Sequence, residues 1–304
     1  MLFRAAYNLP VTLGVQRGVF ASHGLDLDIV YTRGSQMAVE LLRTGERDLG
    51  VLSADDVVYE VEAHGSDLFI FMGLHGGILT LVARPEIHTL GDVAGRRLGV
   101  DDPASGFALV AHRILQSAGV SRSAYETVPA GGHEHRARAL LEGTIDVALL
   151  TPPFTLEAVR RGFTVLGRAR EYLKAYQGSC GVTTRGWARA NRSTLIAYIR
   201  AHRESLRWVL APENRRDAVG HLARDFGLSP DDAGSTYATL VDPLDGLFPD
   251  LRVEAAGVQA VIDLRVEADL LAPGARPVER YLDRSYLEAA AAAFPSATQQ
   301  GVVT

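Results

Sequence analysis

The chain has 304 residues, 47% of them hydrophobic, enough for one large domain or two of medium size with substantial cores. A net charge of −5 leaves no basic footprint for nucleic acid, and no run approaches the ~18 continuous apolar residues of a membrane span, so neither partner is expected. The single cysteine, Cys180, excludes an intrachain disulfide and a multi-cysteine metal site, and only Lys174 could form a Schiff base.

In chain order, Leu2–Tyr7 reads as a strand that Asn8-Leu9-Pro10 breaks. Val11–His23 has helical periodicity, and Leu25–Tyr31 alternates apolar and polar residues as a half-buried strand does. Gly34-Ser35-Gln36 opens a helix that ends at Gly45. A strand at Asp48–Leu52, a helix at Ala54–Ala63 and a strand at Leu68–Met72 follow, the last running into Leu74-His75-Gly76-Gly77 and the apolar Ile78–Ala83. A second lobe is expected from Arg84, with a short helical turn and a strand in Leu90–Val100, a polar loop at Asp101–Gly106 and a helix at Phe107–Ala118. Its later elements are a strand at Tyr125–Pro129, a helix after Gly131-Gly132, a strand at Asp146–Leu150, a helix at Phe154–Arg161 and a strand at Thr164–Leu166. The chain returns to the first lobe near Gly178–Thr184. Beyond Trp187 it is almost wholly helical, over Asn191–Leu210, Pro212–Phe226, Ser229–Val241, Val253–Glu267 and Tyr286–Phe294, with a frayed tail at Thr298–Thr304. The expected division is therefore 1–83 with 181–304 in one discontinuous lobe, and 84–180 in the other.

One pattern occurs twice. Leu42–Ser53 and Leu140–Thr151 align Gly45 with Gly143, Asp48 with Asp146 and Ser53 with Thr151 at identical spacing. Each copy ends an amphipathic helix, turns on a glycine able to take positive φ, enters an apolar strand and stops at a hydroxyl that can N-cap the next helix. Ligands of open α/β sheets sit at the carboxyl ends of strands, so Ser53 and Thr151 are expected to face one another across a cleft.

This organisation resembles the type II periplasmic-binding-protein fold, and within it the sulfonate-, nitrate- and taurine-binding proteins and their pyrimidine-synthase relatives. The resemblance rests on the helix-Gly-x-x-Asp-strand at Leu42–Leu52, on Leu90–Gly95 opening the second lobe, and on the second such unit with its Pro-Pro at Ala139–Pro153. It covers about residues 1–290. It implies a two-lobed α/β fold with C-terminal helices packed on the first lobe, a hinged closure on a small ligand, and an ABC permease as partner if the protein is exported. A biphenyl sulfinate desulfinase of this fold carries a nucleophilic cysteine in the loop that corresponds to Tyr7-Asn8-Leu9-Pro10-Val11. Leu9 occupies that place here and cannot attack sulfur. With no lysine in the first 173 residues and one cysteine, the pyrimidine-synthase chemistry is not expected either. As it stands the sequence reads as cytoplasmic, and as periplasmic or lipid-anchored if a leader precedes it.

Arg33-Gly34-Ser35-Gln36 and Ala104-Ser105-Gly106-Phe107 each put a small hydroxyl residue at a helix start, where free N–H groups and the dipole suit a carboxylate or sulfonate. Arg33 would add a bidentate contact, and ordinary N-capping by Ser35 and Ser105 is compatible with that role. His75, beside two glycines at the end of a strand, suits a ligand donor or an acid/base, or a plain turn residue. His133 opens a helix and is expected to touch the ligand. In His133-Glu134-His135, side chains two apart on a helix point about 200° from one another and cannot share an ion, so no metal and no cofactor are expected. Asp55-Asp56 follow Ser53 at a helix start, which explains them electrostatically.

The reading is a binding protein for a small organic anion, a sulfonate or carboxylate with aromatic bodies included, in a cleft lined by Asn8, Leu9, Arg33, Ser35, Gln36, Ser53, His75, Ser105, Phe107, His133 and Pro153. The rival is a cytoplasmic decarboxylase or other lyase on the same fold, with His75 and Asp55 as acid and base.

Overall fold

The computed structural model describes residues 1–274 and 276–292. Its helices and strands are α1 (Leu9–Gln16), α2 (Val19–Ser22), α3 (Ser35–Arg43), β1 (Gly50–Ser53), α4 (Ala54–His64), β2 (Leu68–Gly73) and β3 (Thr80–Ala83). Then come β4 (Arg97–Val100), α5 (Gly106–Ser117), β5 (Glu126–Pro129), α6 (His133–Glu142), β6 (Val147–Leu150), α7 (Phe154–Arg160), β7 (Thr164–Arg168) and α8 (Ala169–Tyr172). The chain finishes with β8 (Ser179–Thr184), α9 (Arg185–Ala190), α10 (Arg192–Leu210), α11 (Arg215–Phe226), α12 (Pro230–Leu240), α13 (Ala255–Glu267) and α14 (Ser285–Ala292).

The strands form two separate sheets, one ordered β1-β8-β2 and one β5-β4-β6-β3-β7. The repeated half-units thus contribute β1 to one sheet and β6 to the other, which is the two-lobed arrangement. Their glycines do what the spacing requires: Gly45 and Gly143 both lie in the left-handed region, at φ 76° and 77°. In the second sheet β4 lies between β5 and β6, and a Cβ on Gly99 would lie 2.2 Å from Ile145 Cδ1, so a larger residue there would force the Ile145 side chain to shift.

Several sequence expectations are corrected. Leu2–Tyr7 is not a strand: Leu2 makes an isolated parallel bridge to Tyr31, after which Ala6–Asn8 turns directly into α1. Pro10 starts that helix rather than stopping a strand, since a proline in the first turn loses no hydrogen bond. The Val11–His23 helix is interrupted because Gly18 is left-handed at φ 73°. Leu25–Tyr31 likewise joins no ladder beyond the bridge at Tyr31. β3 was expected in the first lobe, yet it pairs antiparallel with β6 and β7, so the strand change falls before Thr80 rather than at residue 84. The expected Tyr286–Phe294 helix is described as far as Ala292, and the Thr298–Thr304 tail lies outside the described residues.

The C-terminal helices do not all stay with the first sheet. α10 packs on α1 and α14, and α14 on β2, but α13 touches both α4 and α5, and α12 touches α7. One hydrophobic cluster accordingly runs from Leu52 and Ile70 through Val58, Val258 and Ile262 to Leu109, Leu98 and Leu81. Each such fully buried aliphatic side chain contributes roughly 1.5–3 kcal/mol. This shared core holds the lobes against one another and encloses a set of polar side chains between them.

Candidate functional site

The enclosed polar cluster is built from both sheets. After β2 the chain turns through His75, whose ring is wholly buried. Its Nδ1 accepts hydrogen bonds from the backbone N–H of Gly77, at 3.1 Å, and of Ile78, at 3.4 Å. Nδ1 is therefore the lone-pair nitrogen, and the proton sits on Nε2, which has no hydrogen-bond partner among the described residues. Burial pushes the His75 pKa down to about 3, so the ring is a neutral donor at physiological pH. The Tyr7 ring lies 4.9 Å from it, centroid to centroid. Burial pushes the Tyr7 phenol up to about 12.

The second lobe supplies a matching arrangement. His133 opens α6, and its Nδ1 accepts from Arg136 Nη2 at 2.9 Å, which again leaves the proton on Nε2. Burial, then the charge of Arg136, hold the His133 pKa well below the usual imidazole range. Phe107 packs against the ring at 5.2 Å. Arg136 is itself only 1% exposed, and it donates to the carbonyls of Gly131 at 2.7 Å and Leu149 at 3.3 Å. Its nearest carboxylate, Asp101, is 3.6 Å away, and Asp101 also accepts from the Ser105 hydroxyl at 2.5 Å.

The acidic wall is Asp56. Its Oδ2 accepts from the Ser53 backbone N–H at 3.0 Å, the Ser53 hydroxyl at 2.8 Å and the Ser35 hydroxyl at 3.1 Å. Burial, reinforced by the neighbouring Asp55, pushes its carboxyl up to about 7. Tyr176 feels the charges of Asp55, Asp56 and Asp101, and its buried hydroxyl has no partner among the described residues. Cys180 donates to the Leu52 carbonyl at 3.4 Å, and burial raises its thiol pKa well above the usual value, so it is no thiolate nucleophile.

Of the residues the sequence singled out, Ser35, Ser53, His75, Ser105, Phe107 and His133 belong to this linked cluster. Asn8 and Leu9 are buried beside it and line a small cavity of about 60 Å³ together with Arg4, Tyr31 and Phe226. Asn8 donates to the Phe3 carbonyl at 2.8 Å, and its Oδ1 has no partner among the described residues. Pro153 is buried at the start of α7. Arg33 and Gln36 are exposed. The Arg33 carbonyl oxygen lies 3.5 Å from where a Cβ on Gly132 would stand. Three local expectations also differ. Gly34, not Ser35, caps α3, because the Ser35 hydroxyl is turned to Asp56. Thr151 caps nothing: Pro153 is the N-cap of α7, and the Thr151 hydroxyl is buried without a partner among the described residues. Ser105 does cap α5, but Asp55 packs against Gly106, so the positive end of that helix already faces a carboxylate of the protein.

Asp55 is likewise withdrawn from chemistry, since Arg265 grips both of its oxygens, at 2.7 and 2.6 Å. The sequence reading missed Arg136, Asp101, Tyr7 and Tyr176. Arg136 had a signal, standing three residues after His133 and so on the same helix face. His133 is buried and His135 exposed, as their spacing on α6 demands. Among the described residues no three His, Cys, Asp or Glu side chains are placed to hold a metal ion.

A family model described as "NMT1/THI5 like" matches residues 5–215. No curated protein matches the chain in sequence. Solved structures are similar in fold. The alkanesulfonate-binding protein SsuA from Xanthomonas axonopodis pv. citri, bound to MOPS, aligns with TM-score 0.78 at 19% identity, covering 93% of this chain and 96% of that one. The periplasmic nitrate-binding protein NrtA from Synechocystis PCC 6803 aligns with TM-score 0.79 at 13% identity, covering 99% and 91%. The periplasmic aliphatic sulphonate-binding protein SsuA from Escherichia coli gives 0.70 at 18%, covering 94% and 97%.

Proposed function

The chain belongs to the NMT1/THI5-like family, and from that premise we propose that it is a solute-binding protein of the ABC-importer kind, closing its two lobes on a small organic anion, a sulfonate or a carboxylate. The observation that carries this reading is the pair of neutral imidazoles, His75 from one lobe and His133 from the other. Each has its Nδ1 engaged by the protein, which puts the proton on Nε2, and the Nε2–H of His75 is buried with no partner among the described residues, left for another acceptor. A buried donor without a partner costs about 1–3 kcal/mol, which an incoming oxygen would offset. The buried Arg136 guanidinium stands behind His133 and makes the acceptor's charge favourable. Tyr7 and Phe107, each packed on one of these rings, suit a ligand with an apolar or aromatic body. In this reading the crossings between lobes fall just before Thr80 and between Arg168 and Ser179. The partner, for an exported protein, is an ABC permease. Among the described residues no helix is long and apolar enough to cross a membrane.

The lyase reading finds less support. His75 is a donor that does not titrate near neutrality, Asp55 is held by Arg265, and Leu9 is no nucleophile.

A thermal-shift screen tests the proposal. Aromatic and aliphatic sulfonates or carboxylates should raise Tm, and matched neutral amides should not. A ligand at 100 times its Kd stabilises the native state by about 2.7 kcal/mol. The replacement His75→Phe, which keeps a planar ring and removes the N–H, should abolish the shift. Equal stabilisation by acids and amides would overturn the anion site, and carbon dioxide released from a stabilising acid would establish the lyase instead.

A further inference from the structure

A second polar cluster lies away from the one just described. On α5, Leu109, His112, Arg113 and Gln116 stand at i, i+3, i+4 and i+7, which puts them on one helical face. That face meets Leu264, Glu267 and Ala268 at the end of α13, and between them is a cavity of about 140 Å³. His112 is seven residues beyond Ser105, roughly 10 Å along the helix from the central cluster.

We propose that this gap between α5 and α13 is a binding site for a small organic carboxylate with a compact apolar body. Its size fits a molecule of a few heavy atoms: a liquid water occupies about 30 Å³, so a nucleotide or a sugar chain is excluded. Its walls are mixed. Leu109 and Leu264 are core residues and supply apolar surface. The polar side is His112, only 9% exposed, whose Nδ1 is held by the Tyr125 hydroxyl at 2.6 Å. The Nε2 of that ring is buried and has no partner among the described residues. When the Tyr125 hydroxyl donates to Nδ1, Nε2 carries the proton and becomes a donor, which is the state an anionic oxygen would select.

The charge balance also favours an anion. Arg113 is paired with Glu267, so those two charges cancel. Arg122 lines the same cavity and uses one nitrogen on the Pro103 carbonyl at 2.9 Å, with no carboxylate paired to it among the described residues. A carboxylate seated between Arg122 and His112 would therefore satisfy an unpaired guanidinium and an orphaned ring nitrogen together, with its apolar body against the leucines. This argument uses none of the residues of the central cluster and stands apart from the proposed function.

The test uses the whole chain with isotope-labelled histidine rings, titrated with isobutyrate and separately with isobutyramide. The His112 resonance is assigned by its loss in His112→Gln. Isobutyrate should move it saturably and isobutyramide should leave it in place. Arg122→Gln, at an exposed position that should not disturb folding, should weaken the isobutyrate response about tenfold, as expected for losing one charged hydrogen bond. The proposal fails if His112 stays silent, including the case in which only the His75 or His133 resonance moves. It fails equally if the amide acts like the acid, or if Arg122→Gln binds as the native protein does.

Discussion

Asp55 and Arg265, 210 residues apart in sequence, meet in a buried bidentate ion pair, and Arg265 also donates to the Ala104 carbonyl at 3.1 Å. The pair thus joins the start of α4, the end of α13 and the loop before α5. Removing one partner of such a buried pair leaves an uncompensated charge, at a cost of about 3–5 kcal/mol. Asp55→Ala should show that loss in urea unfolding, whereas the double replacement Asp55→Leu with Arg265→Met should recover much of it. A loss below about 1 kcal/mol in the single variant would mean that the pair is not what fastens α13 to the second lobe.

Asp56 should impose a pH dependence of its own. Its carboxyl is raised from 3.8 to about 7 in the folded protein. The folded state therefore binds the proton more tightly than the unfolded chain, so the contribution to stability is complete below pH 3.8 and is lost as the pH rises to about 7. Asp56→Asn removes this term. The difference in unfolding free energy between the native protein and that variant should shift against the native protein by on the order of a few kcal/mol between pH 4 and 8. A pH-independent difference would sink the assignment.

His75 acts in the opposite sense. Its pKa falls from 6.5 to about 3 on folding, so its contribution is complete above pH 6.5 and drains away as the pH drops towards 3. His75→Phe should lose stability at pH 7.5, because the Gly77 and Ile78 N–H groups lose their acceptor. Its deficit should shrink at pH 4.5. The same comparison carries a functional corollary: His75 should impose no inflection on ligand affinity near the ordinary histidine value, and the weakening of anion binding as Asp56 ionises around pH 7 should disappear in Asp56→Asn.

Gly178 fixes where the His75 ring can lie. A Cβ there would stand 2.6 Å from His75 Nδ1 and 2.7 Å from Cε1. Gly178→Ala should fold with a penalty of about 1–3 kcal/mol and displace the ring. The acid-induced thermal shift should then fall with it, while Gly24→Ala, where a Cβ meets nothing within 4 Å but the backbone is left-handed, should cost stability and spare binding. Intact ligand response in Gly178→Ala would show that the ring position is immaterial.

The lobes were legible because two signals agreed at the same spacing: a glycine that must go left-handed, and an apolar run behind it. The first strand was not, because Leu2–Tyr7 and Leu25–Tyr31 carry strand composition yet have only each other as partners, and a bridge is all they form. Within the site, His75 and His133 could be chosen from their places after a strand and at a helix start. Arg33 stands out in sequence because it adjoins an obvious helix start, whereas Arg136 does not, since burial of a guanidinium by carbonyls from Gly131 and Leu149 is decided by tertiary structure. The α5 helix end looked like an anion site in sequence for a sound reason, since Asp55, a carboxylate from α4, packs against it.

The strand order sets a timetable for synthesis. Every strand of the five-stranded sheet comes from the continuous stretch Thr80–Arg168, so that lobe holds all its pairings before the chain goes further. The other sheet is different. β1 and β2 do not pair with one another; both form their ladders with β8, which begins at Ser179, and Ile70 of β2 also bridges the still later Leu282. Until β8 arrives, Gly50–Ser53 and Leu68–Gly73 remain two apolar edges with unpaired backbone, waiting over more than a hundred residues of translation. The lobe that is begun first is therefore completed last, and the interval between is when a nascent chain most needs shielding.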